Sequence, residues 1–307
     1  MKRCICIMMT PILLLSGCTD IRERLLPDLL AADTGSPVRF AAHSSQDESV
    51  ISAAAASAMM MPEALENASG KEISTGHLTM LAVGGNPCAV IEDYLQAQYL
   101  APTCMVLCVP KSACSMLQNG TLPAPEEIQA AVKTGMLPCR TADAVIGDLW
   151  GCSGITALPC LQNGSLTLAL RDRSRSFGTL SQDACRGLAL FGSRWESFAF
   201  TADDVCYRLT DCRLFTEVRQ AQTHLQITVS GEISAEPPLS EAAAGRLREM
   251  LNAAVSETAL TQGADVLFLY ETALRDGAAD SSMTQELWRS ALKRAACSIR
   301  VGGISEL

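Results

Sequence analysis

"HLTMLAVGGNPCAVIEDYLQAQYLAPTCMVLCVP", residues 77–110, decides how this chain folds. Its first nine residues are largely apolar and end in Gly84 and Gly85, which reads as a strand closed by a turn. Pro87 opens a helix-like stretch, at the helix position where a missing N–H is not needed. "PTCMVLCVP", 102–110, is a continuous apolar run of strand length. Two strands joined through a helix form a β-α-β unit, and a crossover of that size makes them parallel.

Moving toward the N-terminus, "ADTGSPVRFAAHSSQDES", 32–49, reads as polar and irregular. "ISAAAASAMMM", 51–61, reads as a helix with Ile51, Ala54, Ala58 and Met61 on one face. Toward the C-terminus, helices are expected over 124–135, where Pro125, Glu126 and Glu127 suit a first turn, and over 141–151. Residues 165–180 read as a hairpin, 181–192 as a capped helix, and 196–215 as strands with a turn. Leu225, Ile227 and Val229 alternate with polar residues in a further strand. A long helix is expected from Ser240 to about Thr261, ending before Gly263, a residue suited to the left-handed C-cap. Trp288 and Leu292 share one face of another helix, and "CSIRV", 297–301, is a final strand.

The expected fold class is α+β, with two to three compact mixed α/β units behind an N-terminal lipoprotein signal. The units are an N-terminal α/β domain over 18–152, a small middle domain over 153–215 and a C-terminal α+β domain over 216–307. The signal is residues 1–17: Lys2 and Arg3, an apolar stretch from Ile5 to Leu15, then Ser16 and Gly17. That stretch is too short to cross a bilayer, which takes about 20 apolar residues. Leu15-Ser16-Gly17-Cys18 resembles the bacterial lipobox. The resemblance implies a mature chain that begins at Cys18 with a diacylglycerol on its thiol, and no other cofactor is expected.

Composition narrows the function classes. The 307 residues are 48% hydrophobic but 5% aromatic, so Ala, Leu, Val, Ile, Met and Cys must build the core. The formal charge is −9, and removing Lys2 and Arg3 takes it to −11. Such a surface repels nucleic acid and anionic headgroups, which leaves membrane attachment to the acyl chains. Of 14 cysteines, all but Cys4, Cys6 and Cys18 remain, an odd eleven set mostly in apolar strands and helices. They read as buried thiols, with one or two disulfides as the alternative. Zinc is not expected, because Cys152 and Cys160, like Cys206 and Cys212, are too widely spaced for a structural site.

No catalytic motif stands out. There is no nucleophile elbow, zinc-protease helix, P-loop or dinucleotide fingerprint. His43 reads as lying in a polar loop, while His77 and His224 read as structural residues beside strands. The adjacent pairs Asp203-Asp204 and Glu126-Glu127 read as turn and helix-start residues, since sequence neighbours point in different directions. No enzyme activity is expected. Exported hydrolase remains a minor alternative.

Four segments behind the lipobox fall in a telling order. They are "CTDIRERL" at 18–25, "TGHLTMLAVGG" at 75–85 leading to "APTCMVLCVPKSACSML" at 101–117, "LALRDRSRSFGTLSQDACRGLALF" at 168–191, and "GADVLFLYETALRD" at 263–276 followed by "LWRSALKRA". Together they resemble the Ger(x)C family, the lipoprotein C subunits of spore germinant receptors. The first is similar to the family's C-W-D-x-x-E-L opening, the second to its G-H-L strand, the third to its segment ending in R-G-L, and the fourth to D-V-x-G-F-G. The chain departs in Thr19 after the cysteine, in a shorter region before Gly76, and in "VLFLY", which lacks the F-G pair. The resemblance implies a divergent member, anchored through Cys18 on the outer face of the spore inner membrane. It also implies partnership with membrane-embedded A and B subunits, and it transfers no catalytic residue. The alternative from another class is a lipid-anchored solute-binding protein of a transporter, which should have two α/β lobes and a ligand cleft.

Overall fold

The computed structural model describes residues 24–46, 48–192 and 194–303. Four strands come first: β1 (Arg24–Leu25), β2 (Leu29–Asp33), β3 (Val38–Ser44) and β4 (Ser49–Ala55). The stretch expected to be irregular therefore holds the last two residues of β2, all of β3 and the start of β4. The helix expected from residue 51 is also corrected. Ile51, Ala53 and Ala55 line one face of β4, and helix α1 (Met61–Ser69) begins ten residues later than Ile51. The reason is physical: alanine and serine carry almost no periodic signal, so hydrogen bonding to the free edge of β3 decides the state. The pairing is antiparallel, Val38 with Ala55 through Ser44 with Ser49.

After β5 (Glu72–Ile73), the β-α-β unit forms as expected: β6 (Met80–Gly84), α2 (Pro87–Gln96) and β7 (Met105–Val109), with the two strands parallel. The Asn86 side chain accepts from the Cys88 N–H at 3.3 Å and starts α2. Three short helices follow, α3 (Ala113–Gln118), α4 (Pro125–Lys133) and α5 (Ala142–Trp150). Then come β8 (Thr156–Gln162), β9 (Ser165–Arg171), β10 (Ser176–Thr179) and α6 (Gln182–Gly192). The remaining chain forms β11 (Phe198–Ala202), β12 (Val205–Ala221), β13 (His224–Glu236), α7 (Glu241–Val255), α8 (Leu269–Arg275), α9 (Gln285–Lys293) and β14 (Ala296–Gly303).

The fold is α+β. Beside the two-stranded pair β1-β5, the described strands make an eight-stranded sheet in the order β10-β9-β8-β7-β6-β2-β3-β4 and a four-stranded sheet β11-β12-β13-β14. These sheets do not respect the expected boundaries. Residues 152 and 153 lie between α5 and β8, yet strands on both sides of that point belong to one sheet. Residues 215 and 216 fall inside β12. The cause is the partner of β8, which is β7 from the preceding segment, a choice that no local pattern reveals.

Helices α1, α2 and α5 cover one face of the large sheet through Leu65, Ile91, Tyr94 and Val145. Helices α3 and α4 cover the other through Leu117 and Ile128. The small sheet packs one face on α7 and α9, with Phe198, Leu247 and Trp288 buried. A central cluster, including Leu168, Leu188 and Ala254, joins the two halves through α6 and α7.

Candidate functional site

Cys18, the single site residue expected from the sequence, lies outside the described residues. No helix among the described residues is long and apolar enough to cross a membrane. The histidines are scattered. His43 sits on β3, not in a loop, and its ring nitrogen Nδ1 is 2.8 Å from the Asp28 carboxylate. His77 ends an exposed single turn and His224 opens β13. Asp203 and Asp204 form the turn between β11 and β12, both in the left-handed region with φ of 47° and 61°. Glu126 and Glu127 occupy the first turn of α4, where Glu127 accepts from the Ala124 N–H at 3.1 Å.

What the sequence motifs do becomes clear once they are packed. In the R-G-L step, Gly187 lies where α6 crosses α7, and an added Cβ would overlap the Met250 carbonyl oxygen and stand 2.8 Å from the Ala254 Cβ. Glycine is needed there for close approach. In the "GADVLFLY" segment, the buried Asp265 accepts from the N–H groups of Leu269 at 2.7 Å and Tyr270 at 2.8 Å, which starts α8. Its second role is to accept from Trp288 Nε1 at 2.9 Å. Burial pushes the Asp265 carboxyl up to about 6 against the pull of these three donors. Phe268 occupies the place of the first glycine of D-V-x-G-F-G and keeps a glycine-like backbone, φ 56° and ψ 37°.

A cleft of about 430 Å³ opens where the halves meet. Leu188 and Phe191 of α6, Leu214 of β12, and Val266 and Phe268 make its apolar walls; Arg140, Thr141 and Arg194 bring polar groups. Arg194 Nη1 donates to the Cys139 sulfur at 3.6 Å. Arg140 is buried and forks between Ala157, whose carbonyl accepts from Nε at 2.9 Å, and the Asp148 carboxylate, which also accepts from the Thr156 hydroxyl at 2.9 Å. Burial pushes the Asp148 carboxyl up, while Arg140 and Thr156 oppose the shift. The cleft combines an apolar floor with polar groups of both signs, Arg194 and the Asp143 carboxylate, while Arg140 is tied up beneath it. Sequence reasoning missed it because its walls come from segments far apart in the chain, and Arg140 gave no signal beyond being a charged residue near Pro138.

All eleven cysteines of the described residues are free thiols, and seven are buried: Cys88, Cys104, Cys108, Cys114, Cys160, Cys185 and Cys212. Burial raises the thiols of Cys88, Cys104, Cys114 and Cys212 to about 12.

Comparison with known proteins yields a fold. No family model matches the sequence, and no curated protein matches it. The crystal structure of the GerBC protein is similar, with a TM-score of 0.55 over 89% of this chain and 96% of that chain, at 12% identity. At that identity the two chains share a fold, nearly end to end.

Proposed function

We propose that this chain is a lipid-anchored, non-enzymatic subunit of a spore germinant receptor, working in assembly with membrane-embedded A and B subunits. The observation that carries the reading is the GerBC fold, shared over 89% of this chain. The ordered motif segments behind the lipobox support it from the sequence side. A diacylglycerol on Cys18 anchors the chain to the outer face of the spore inner membrane, and two acyl chains supply the stable attachment that one does not. Tethering also raises the effective concentration of a partner held in the same plane, so a modest interface suffices.

The solute-binding alternative expects two α/β lobes. Here the second sheet is a long antiparallel hairpin with an antiparallel edge strand and one parallel strand, which does not favour it. The direct test is deletion of the gene in a strain without a redundant receptor. Deletion spores should stay viable and lose the response to one receptor's germinants, and in the parent strain the tagged chain should co-purify with A and B subunits. Normal germination across a broad nutrient panel would sink the proposal. For the anchor, Cys18→Ala should abolish incorporation of labelled fatty acid; continued labelling would overturn that part.

A further inference from the structure

The eight-stranded sheet has a seam. β6 and β7 pair along their full length, Met80 with Met105 through Gly84 with Val109. β8 and β9 do the same from Thr156 with Arg171 to Gln162 with Ser165. Between β7 and β8, among the described residues, the register consists of Cys108 opposite Cys160. At the Met105 end of the seam other groups stand between the two strands. Thr141 bridges Met105 in antiparallel fashion, the Ala142 N–H donates to the Cys104 carbonyl at 2.9 Å, and Arg140 Nε donates to the Ala157 carbonyl. Residues 140–142 thus take the place at which β7 and β8 would otherwise meet. Five strands lie on one side of the seam and three on the other.

We propose that Cys108 and Cys160 are a peroxide-sensitive dithiol that closes into a disulfide across this seam and fastens the two parts of the sheet. Residues opposite one another on adjacent strands are about 5 Å apart, inside the range of about 4.4–6.8 Å that a disulfide spans. Both side chains leave the same face, and with Ala169 they form a small cluster of their own. Cys108 is fully buried and Cys160 is 7% exposed, so the oxidant must be little larger than water. Hydrogen peroxide meets that condition. The neighbouring Cys160 thiol and the Arg171 cation pull the Cys108 thiol down against the effect of burial, while Cys108 and burial push Cys160 up. Arg171 is held across that face by donating to the Gly85 carbonyl at 3.3 Å.

The chemistry balances. The Cys108 thiolate attacks one peroxide oxygen, the O–O bond breaks, hydroxide leaves and a sulfenic acid forms. Cys160 then attacks the Cys108 sulfur and the S–O bond breaks. The departing hydroxide takes the Cys160 proton. Two thiols and one peroxide give one disulfide and two waters, with sulfur oxidised and peroxide reduced.

The test uses the full chain, purified under reductant, freed of it and treated with hydrogen peroxide before non-reducing peptide mapping. A linked pair of peptides carrying Cys108 and Cys160 is expected in the wild type and in Cys206→Ser. The link should vanish in Cys108→Ser and in Cys160→Ser, both near-isosteric changes that leave the seam packed. Amide exchange over Met105–Val109 should slow by about tenfold or more on oxidation, because a closed bond removes open states of the seam. Oxidation of the exposed Cys206 without any Cys108–Cys160 link would overturn the dithiol. A link that leaves the exchange unchanged would overturn the clamp.

Discussion

The two sheets solve the same problem in opposite ways. In the large sheet, β6 is buried at every residue from Met80 to Gly84, and β7 is buried from Val106 to Val109. Helices lie on both faces, as parallel strands require, and the strands are made of Ala, Val, Leu, Met and Cys. In the small sheet, β12 alternates, with Tyr207 and Leu209 buried and Arg208 exposed, because one face packs on α7 and the other meets solvent. The difference teaches where each half is vulnerable. A sheet buried on both sides has nowhere to send a charge, so the buried Arg140–Asp148 pair beside it is a liability when broken. A sheet with one wet face depends on its few large anchors and close crossings.

The largest expected effect tests the first half of that statement. Arg140→Ala strands the Asp148 carboxylate beside β8 and should destabilise the chain by about 3–5 kcal/mol. Replacing both partners, Arg140→Met with Asp148→Leu, should recover most of the loss, since the cost comes from the unpaired charge. Urea midpoints of the two variants check this; equal losses would mean that the pair matters through packing and not charge.

Next comes the anchor of the small sheet. The Asp265 carboxyl is raised above its ordinary value in the folded chain, so folding binds a proton there. Its contribution to stability is present in full below about pH 4 and is lost as pH rises through about 6, a change of at most about 3 kcal/mol. Asp265→Asn should flatten the stability profile over that interval, at the expense of one accepted hydrogen bond. A variant that keeps the wild-type slope in urea titrations at stepped pH would assign it to another group.

The helix crossing should give a smaller loss. Gly187→Ala adds a methyl against the backbone of α7 and should cost about 1–3 kcal/mol, although alanine favours helix by about 1 kcal/mol. A neutral result in thermal melts would mean that the two helices slide apart without penalty. The smallest effect has the opposite sign. Phe268→Gly restores the residue at ease in a left-handed backbone and should stabilise by about 1 kcal/mol, because Phe268 is 59% exposed and buries little. A loss of stability would show that its ring holds the cleft wall together.

Much of the fold was legible because its signals are local. The β-α-β unit announced itself through two apolar runs, a glycine pair and Pro87; the long helix after Ser240 and the Trp288 helix announced themselves through their apolar faces. Misreadings fell where local signals are weak. Ala53 to Ala56 suit a helix and a strand equally, and His43 looked like a loop residue because Ser44, Ser45 and Gln46 follow it. The site was legible only in part. The Asp265 and Trp288 motifs were visible as separate segments, while the hydrogen bond that joins them was not.

By itself the sequence determined the α+β class, the parallel unit and the net negative charge, since each follows from residue type and short-range spacing. Tertiary structure alone decided that β8 joins β7, that Arg140 enters the gap between them, and that Cys108 faces Cys160. Those outcomes depend on which strand edges and buried charges find each other across long stretches of chain. Such pairings are selected by the hydrogen bonds and apolar surface they satisfy together, and no single stretch of sequence encodes them.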